Sequence, residues 1–532
     1  MAKPSPRIGI FGWGIVAPRS PDVAAFERNL SQSESWLSPF RGFGPSNFLV
    51  GVPEFDFAAY KPWIDARFEP RKFAQLDEKM GPNAKYAIGA FIQALAQNPG
   101  LEEALRDLGG QAHVYVATGL GDLSVTYDLS VHYHHAQRHW DRFWCGEKHH
   151  PELAAYRRLD GAARAQRRAE LGAPTDPADL LPEDPTLDDA LDAWFHFWIE
   201  RSSGLRQYLA EARVIEAEGV GVDVEHTKGN VIRRKAAARK KLNQRYGCPP
   251  EPWTSVDAQL LWNIPNIAAA QISILGGITG LAMAPVGACA SFGIGLRMAL
   301  NAIELGQAKA VVVGTTDGPP HPLTVGAFFN ARVLATHGEV SKPLTGMRGT
   351  HVAGGAAVWI VGDADYLQGL GMKPLGLEIL GVGTSSDADH IITPSEEGPR
   401  TAILQALHEA GVTPPEVAAW DMHATATPGD WTELLTALSV FPEAKAITAR
   451  KGTFGHGMSV CGGWELTAQH LGVARGVLHP VHVSEDELHP LVQPHVKRLV
   501  RGQPVPIEGR VTGKISMGVG GVNSCVICRR WE

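Results

Sequence analysis

Short apolar runs ending in glycine recur along this chain, and most are followed by a stretch whose apolar positions fall at helical spacing. Arg7–Val16 (RIGIFGWGIV) predicts a buried strand and Asp22–Leu30 the helix after it. Phe73–Ala96 predicts a helix, and His113–Thr118 a second buried strand broken by Gly119-Leu120-Gly121. Strand, helix, strand with glycine at the strand ends is the grammar of a largely parallel sheet. From about Asp122 to Trp262 the text turns charged, Trp-rich and helical, with proline clusters at Ala173–Pro185 and Pro249–Pro252. We read positions 123–262 as a helical insertion in an α/β unit.

The alternation then resumes. A helix runs to Leu275, a cysteine-bearing turn follows, and Leu296–Leu305 continues as helix. Strands are predicted at Ala308–Thr315, Gly355–Gly362, Leu375–Val382, Ala418–Met422, Ala444–Thr448, Gly513–Ser516 and Cys525–Arg529. Helices are predicted at Arg400–Ala410, Trp431–Leu438 and Gly463–Arg475. At 532 residues the chain exceeds one ordinary domain, which suits a pseudo-duplicated unit with halves 1–350 and 351–532.

Charge and cysteine usage narrow the classes. A net charge of −7 argues against a general nucleic-acid or membrane-surface binder. Six scattered cysteines suit a reducing cytoplasm better than a disulfide framework. No apolar run is long enough to span a membrane, and the first apolar run is too short for a signal peptide. A cytoplasmic setting is expected.

The candidate chemistry starts at Gly287-Ala288-Cys289-Ala290-Ser291, where an apolar run opens into a helix. A cysteine at a helix N-terminus meets partial positive charge and free N–H groups, which favour thiolate and can hold an oxyanion. Two histidines stand at predicted strand ends among small residues: His423 in HATATPGD and His456 in KGTFGHGM, with Glu465 nine residues on. Catalytic groups in parallel α/β sheets gather at such ends. Gly518-Val519-Gly520-Gly521 lets backbone N–H groups approach a substrate closely. Each feature alone has a plainer explanation: a buried thiol, a structural histidine, a tight hairpin. Three further signals are read as structural or solvated. His132, His134, His135, His139, His149 and His150 form a solvated helix face without the ligand pattern of a metal site; Cys525 and Cys528 are strand core residues; and Arg233–Lys241 is a basic helix face that would also steer an acidic partner.

Taken together, Ala288-Cys289-Ala290-Ser291, His423-Ala-Thr-Ala-Thr-Pro-Gly-Asp, Lys451…His456…Glu465 and Gly518-Val519-Gly520-Gly521-Val522-Asn523 resemble, in order and spacing, the β-ketoacyl synthases of the thiolase fold. Thr384–His390, Thr393–Glu396, Asn330–Thr336 and Gly12-Trp13-Gly14 look like the elongating type. The resemblance covers roughly 1–125 and 260–532. It implies a five-layered αβαβα sandwich, a homodimer, and a decarboxylating Claisen condensation. Cys289 would accept the acyl group. His423 and His456 would bind a malonyl thioester and stabilise its enolate, and Lys451 and Glu465 would support His456. Backbone N–H groups of Cys289 and Val519 would form the oxyanion hole, and Thr425 and Thr427 would hold a phosphopantetheine arm. The implied partners are acyl carrier protein and acyl or malonyl thioesters on its phosphopantetheine or on CoA, with no cofactor and no metal.

Four positions depart from the family pattern: Val519 where a bulky Phe gate is usual, Ala424 for Gly, Phe292 where a small residue is common, and Gly354 where an acid is frequent. Phe292 and Val519 are therefore expected to shape the acyl site. Two readings compete: a thiolase-like acyltransferase without decarboxylation, and a non-catalytic partner subunit. The missing second cysteine near the C-terminal glycine loop counts against the first, and Cys289 against the second.

Overall fold

The computed structural model describes residues 6–217, 224–442 and 446–531, with side chains omitted for 224–229. It resolves into two compact units, 1–124 with 261–532, and 125–260. The insertion expected at 123–262 is thus a unit of its own.

Among the described residues the main sheet of the larger unit has ten strands: β1 (Ile8–Val16), β2 (Ala112–Ala117), β3 (Ala282–Met283), β4 (Ala310–Asp317), β5 (Gly355–Asp363), β6 (Leu375–Ser386), β7 (Val417–Asp421), β8 (Ala446–Thr448), β9 (Val511–Gly518) and β10 (Val522–Arg530). Their order is β8-β7-β9-β10-β6-β1-β5-β4-β2-β3. Five strands come from each half, and the halves join where β1 meets β6 antiparallel, Ile8 opposite Ile379. The strand β5 lies between β1 and β4, so it belongs to the first half, and the boundary falls after it rather than at 350. Most strands are buried on both faces, which is why they read as continuous apolar runs instead of alternating ones. Of the predicted strand Ala444–Thr448, the first two residues lie outside the described ones.

Helices α1 (Pro82–Leu95), α2 (Ile267–Gly276), α3 (Ser291–Glu304), α4 (Glu397–Ala410), α5 (Gly429–Val440) and α6 (Cys461–Ala474) complete the layers. The stretch read as one helix over Phe73–Ala96 is two, because Met80-Gly81 takes extended backbone and Pro82 starts the second. One apolar core joins α1 and α2 to the outer face of the first half-sheet, and another joins α4 and α5 to that of the second. Between the half-sheets, α3 and α6 share a central core with Phe292, Leu296, Trp359 and Trp464. The result is the five-layered αβαβα arrangement.

The unit 125–260 has two aromatic cores, one around Trp140, Trp144 and Tyr208, the other around Trp194, Trp198 and Tyr156. His132, His134, His135 and His139 are exposed as expected, but His150 is buried. Its Nδ1 accepts from Leu153 N–H at 3.1 Å and its Nε2 reaches Trp198 O at 2.8 Å, capping a helix from within. His149 packs on Phe143, ring centroids 4.5 Å apart. The basic run is not wholly solvated either: Arg239 pairs with Glu251 at 2.6 Å and Lys235 reaches Glu216 O at 2.5 Å, leaving Arg233, Lys240 and Lys241 exposed. Among the described residues no helix is long and apolar enough to cross a membrane.

Candidate active site

Cys289 sits in a 3₁₀ turn, Ala288–Ala290, that leads into α3. Gly287 N–H and Ala288 O both bind the Ser291 hydroxyl, at 2.9 and 2.7 Å, which ties the turn to the first residue of the helix. Ala288 is left-handed at φ 48°, an arrangement that costs an alanine about 1 kcal/mol or more. Ala426, between Thr425 and Thr427, and Met458, two residues after His456, are left-handed as well. Backbone strain therefore flanks the cysteine, the threonine pair and one histidine.

The end of β9 closes over the cysteine turn. A Cβ on Gly518 would stand 2.8 Å from Gly287 O and 3.2 Å from Cys289 N, so only glycine allows this approach. The Val519 N–H that follows donates toward the Cys289 thiol. Burial pushes that thiol well above its ordinary range, with Cys461 adding to the effect; Lys451 and the Val519 N–H oppose it without prevailing. The thiolate expected from the helix N-terminus is thus not the resting form, because a fully buried sulfur loses more hydration than one helix end supplies.

His423 follows β7 and His456 follows the short helix Lys451–Phe454; their rings stand perpendicular with centroids 5.6 Å apart. The backbone N–H of Met458 donates to His456 Nδ1 at 3.1 Å, so the imidazole proton is on Nε2. Lys451 Nζ lies 3.3 Å from His423 Nδ1 and also donates to His423 O. An ammonium only donates, so His423 too carries its proton on Nε2. Burial and then the Lys451 charge hold both rings neutral, His456 down to about 3. The Lys451–Glu465 pair, 2.6 Å, therefore serves His423 and not His456 as expected; the turn Gly455–Met458 makes its own arrangement for His456.

Several groups at the site were not singled out in the sequence. Lys514, on β9, stands 2.8 Å from the other Glu465 oxygen, so two buried lysines share one carboxylate. For Lys451, burial works against the charge, but Glu465 outweighs it and holds the ammonium above its ordinary range. Glu433 accepts the N–H groups of His423 (2.5 Å) and Ala424 (2.7 Å), and Asp430 accepts those of Thr425, Ala426 and Leu344. Burial raises Glu433 to about 7 and Asp430 to about 6. Their i, i+3 spacing at the start of α5 was the available signal. Cys461 is a second thiol beside the first, its Sγ 3.8 Å from Cys289 O, but it is wholly buried and does not face the cleft.

Cys289, His423, His456, Thr425, Thr427 and Val519 line one cleft together with the apolar side chains of Phe328, Val333, Ile392 and Pro394. The two threonine hydroxyls are 2.9 Å apart. Phe292, expected to contact substrate, is fully buried in the central core and does not line the cleft. Gly354 cannot carry an acid, since a Cβ there would lie 2.1 Å from Gly318 O.

Residues 209–365 match the β-ketoacyl synthase N-terminal domain and 377–484 the C-terminal domain. The chain is 28% identical over 281 residues to a 3-oxoacyl-[acyl-carrier-protein] synthase 2 of Staphylococcus aureus (strain COL), which covers 51% of this chain. It spans just 66% of that relative's length. A β-ketoacyl synthase from Burkholderia phymatum STM815 shares the fold at TM-score 0.67 and 17% identity, covering 99% of this chain and 100% of that one. A ketosynthase solved in complex with a type II polyketide synthase acyl-carrier protein does so at TM-score 0.62 and 16% identity, with the same coverage. With its halves, its layers and its cysteine–histidine cleft accounted for, the chain belongs to the β-ketoacyl synthase family of the thiolase superfamily.

Proposed function

We propose that this protein is a 3-oxoacyl-[acyl-carrier-protein] synthase, an acyltransferase that condenses an acyl thioester with a malonyl thioester in fatty acid or polyketide-type synthesis. The observation that carries this reading is the pair of neutral imidazoles, both protonated on Nε2, in the cleft that Cys289 also lines. In the first half-reaction Cys289 Sγ attacks the donor thioester; the C–S bond of the donor breaks, the cysteine proton passes to the departing thiolate, which leaves as the thiol, and the acyl group stays on Cys289. The N–H groups of Cys289 and Val519 receive the oxyanion. In the second, Thr425 and Thr427 hold the arm of the malonyl thioester, and both Nε2–H groups donate to its thioester oxygen. The bond to CO2 breaks, and its electron pair becomes an enolate stabilised by those donors and by the charge of Lys451. The enolate carbon attacks the acyl carbon, the C–S bond to Cys289 breaks, and the thiolate regains a proton. Neutral donors suit this step, since an imidazolium would protonate the enolate carbon and end the reaction as simple decarboxylation.

Acyl carrier protein is the proposed partner, supported by the related ketosynthase solved in complex with one. A homodimer is proposed from the exposed edge strand β3, where Leu281, Val286 and the neighbouring Ile274 present apolar side chains to solvent. The deciding experiment incubates the protein with acyl- and malonyl-loaded carrier and looks by mass spectrometry for the β-ketoacyl product. Product formed by wild type and absent from Cys289→Ala supports the reading. Acyl transfer without CO2 release supports the non-decarboxylating alternative, and no reaction with any thioester overturns both.

A further inference from the structure

We propose that the Lys514 ammonium is a built-in cation of the active site, which positions His423 and supplies the surplus positive charge that an enolate needs. The proposal rests on the reading of the cleft as the site of a decarboxylating condensation. Lys514 lies mid-strand in β9, opposite Asp421 of β7 and Val526 of β10, and is 1% exposed. An ammonium buried this deeply is strongly disfavoured unless oxygens replace its water. Its Nζ donates to Met422 O at 3.3 Å and to Ile515 O, and stands 2.8 Å from Glu465 Oε2. Two peptide carbonyls and a carboxylate thus stand in for hydration, the kind of oxygen set that holds a hard cation.

This cage is built on the backbone of His423. Lys514 holds the carbonyl before that residue and Lys451 holds its own carbonyl, while Glu433 accepts the N–H groups of His423 and Ala424. Glu465 bridges the two ammoniums, with Oε1 at 2.6 Å from Lys451 and Oε2 on Lys514. The ring that must aim Nε2–H at a substrate is therefore oriented through its peptide frame. The balance of charge gives Lys514 a second part. Lys451 and Glu465 cancel as a pair, Arg450 is matched by Asp421 at 2.9 Å, and Glu433, raised to about 7, is only partly charged near neutrality. Lys514 is the cation left over. Its charge opposes protonation of both rings, His423 and His456. A positive charge that keeps an imidazole neutral also favours an anion formed beside that imidazole.

The test reads two steps separately on the full chain. One is acetylation of Cys289 by acetyl pantetheine thioester, followed by intact-protein mass spectrometry; the other is CO2 release from malonyl pantetheine thioester by the acetylated protein. Lys514→Met, which keeps the bulk without the charge, is expected to acetylate close to the wild-type rate and to release CO2 about 10²-fold more slowly. In Lys514→Ala the emptied cage is open to a small cation. Methylammonium or potassium chloride is expected to restore its CO2 release about tenfold or more at matched ionic strength, and bulky tetramethylammonium is not. If the alanine variant does not fold, the split between the two steps in Lys514→Met decides. Parallel loss of both steps with no rescue by any cation marks a lysine that only braces the fold, and overturns the proposal. Unchanged CO2 release in Lys514→Met overturns it as well. Wild type that acetylates Cys289 yet releases no CO2 overturns the decarboxylating reading, and the inference with it.

Discussion

The backbone N–H of Met458 meets Nδ1 of His456 at 3.1 Å, and this one bond decides which way the imidazole can act. It leaves Nε2–H for the cleft, and Met458 itself is held in the left-handed region at φ 51°. A proline at 458 removes the donor and cannot adopt that φ. Met458→Pro is expected to lower condensation at least ~10²-fold, whereas Met458→Gly keeps most of it. Steady-state kinetics of the two variants check this, and equal loss in both would show that the side chain matters instead.

Acid inactivation should not come from the histidines. Both rings are held neutral, His456 to about pH 3, so their protonation lies below the working range. Glu433, raised to about 7 by burial, titrates within it and bonds the His423 backbone. The kcat/KM profile is expected to bend near pH 7, and the bend to disappear in Glu433→Gln at lower overall activity. A bend that persists unchanged in that variant contradicts the assignment.

The same carboxyl affects stability with a definite sign. A folded-state value of about 7, above the ordinary 4.5, means that the native chain binds this proton more tightly than the unfolded one. Its contribution is fully favourable below pH 4.5 and is lost as pH rises through 7, a change on the order of 3 kcal/mol. Between pH 5 and 8, urea midpoints of wild type should therefore fall more steeply than those of Glu433→Gln. Parallel slopes would remove the claim.

Two lysines on one carboxylate make the members of that cluster unequal. Glu465→Gln leaves Lys451 and Lys514 facing each other without compensation, at a cost of about 3–5 kcal/mol. Lys514→Met keeps the Lys451–Glu465 pair and replaces an amine by an apolar chain of similar length, so it should cost clearly less. Denaturant titration of both variants gives the comparison.

Cys289 reactivity should follow its burial. With the thiol raised, iodoacetamide alkylation of Cys289 is expected to keep climbing with pH through 9 without levelling near neutrality. Cys289→Ala gives the background, and a plateau near pH 7 would restore the activated thiolate.

Much of this site was legible because its groups sit in local motifs. Cys289, His423 and His456 each stand at a strand end among small residues, and strand ends are readable from apolar runs. What was not legible depends on how elements roll and pair at a distance. The size of Phe292 is visible in the sequence, but its aim into the core is set by how α3 lies on Trp359. Lys451 was assigned to the nearer histidine in sequence, yet the fold points it at His423. Lys514 was passed over because a lysine inside an apolar strand finds its partner on another helix, Glu465 of α6. The fold class does not hang on any one of these groups, because the apolar strands and helical periods that specify it are spread over the whole sheet.

The last two strands of the sheet, β9 and β10, lie in its interior, between β7 and β6. During synthesis, then, Cys289 and both histidines leave the ribosome well before the hairpin that completes their surroundings. Until β9 inserts, β7 and β6 each keep an unpaired edge, and Gly518 and Val519 are not in place over the thiol. Such long-range pairing folds slowly and exposes edges meanwhile. The nascent chain should accordingly remain silent toward thioesters until that final hairpin is released, and should depend on chaperones through the same interval.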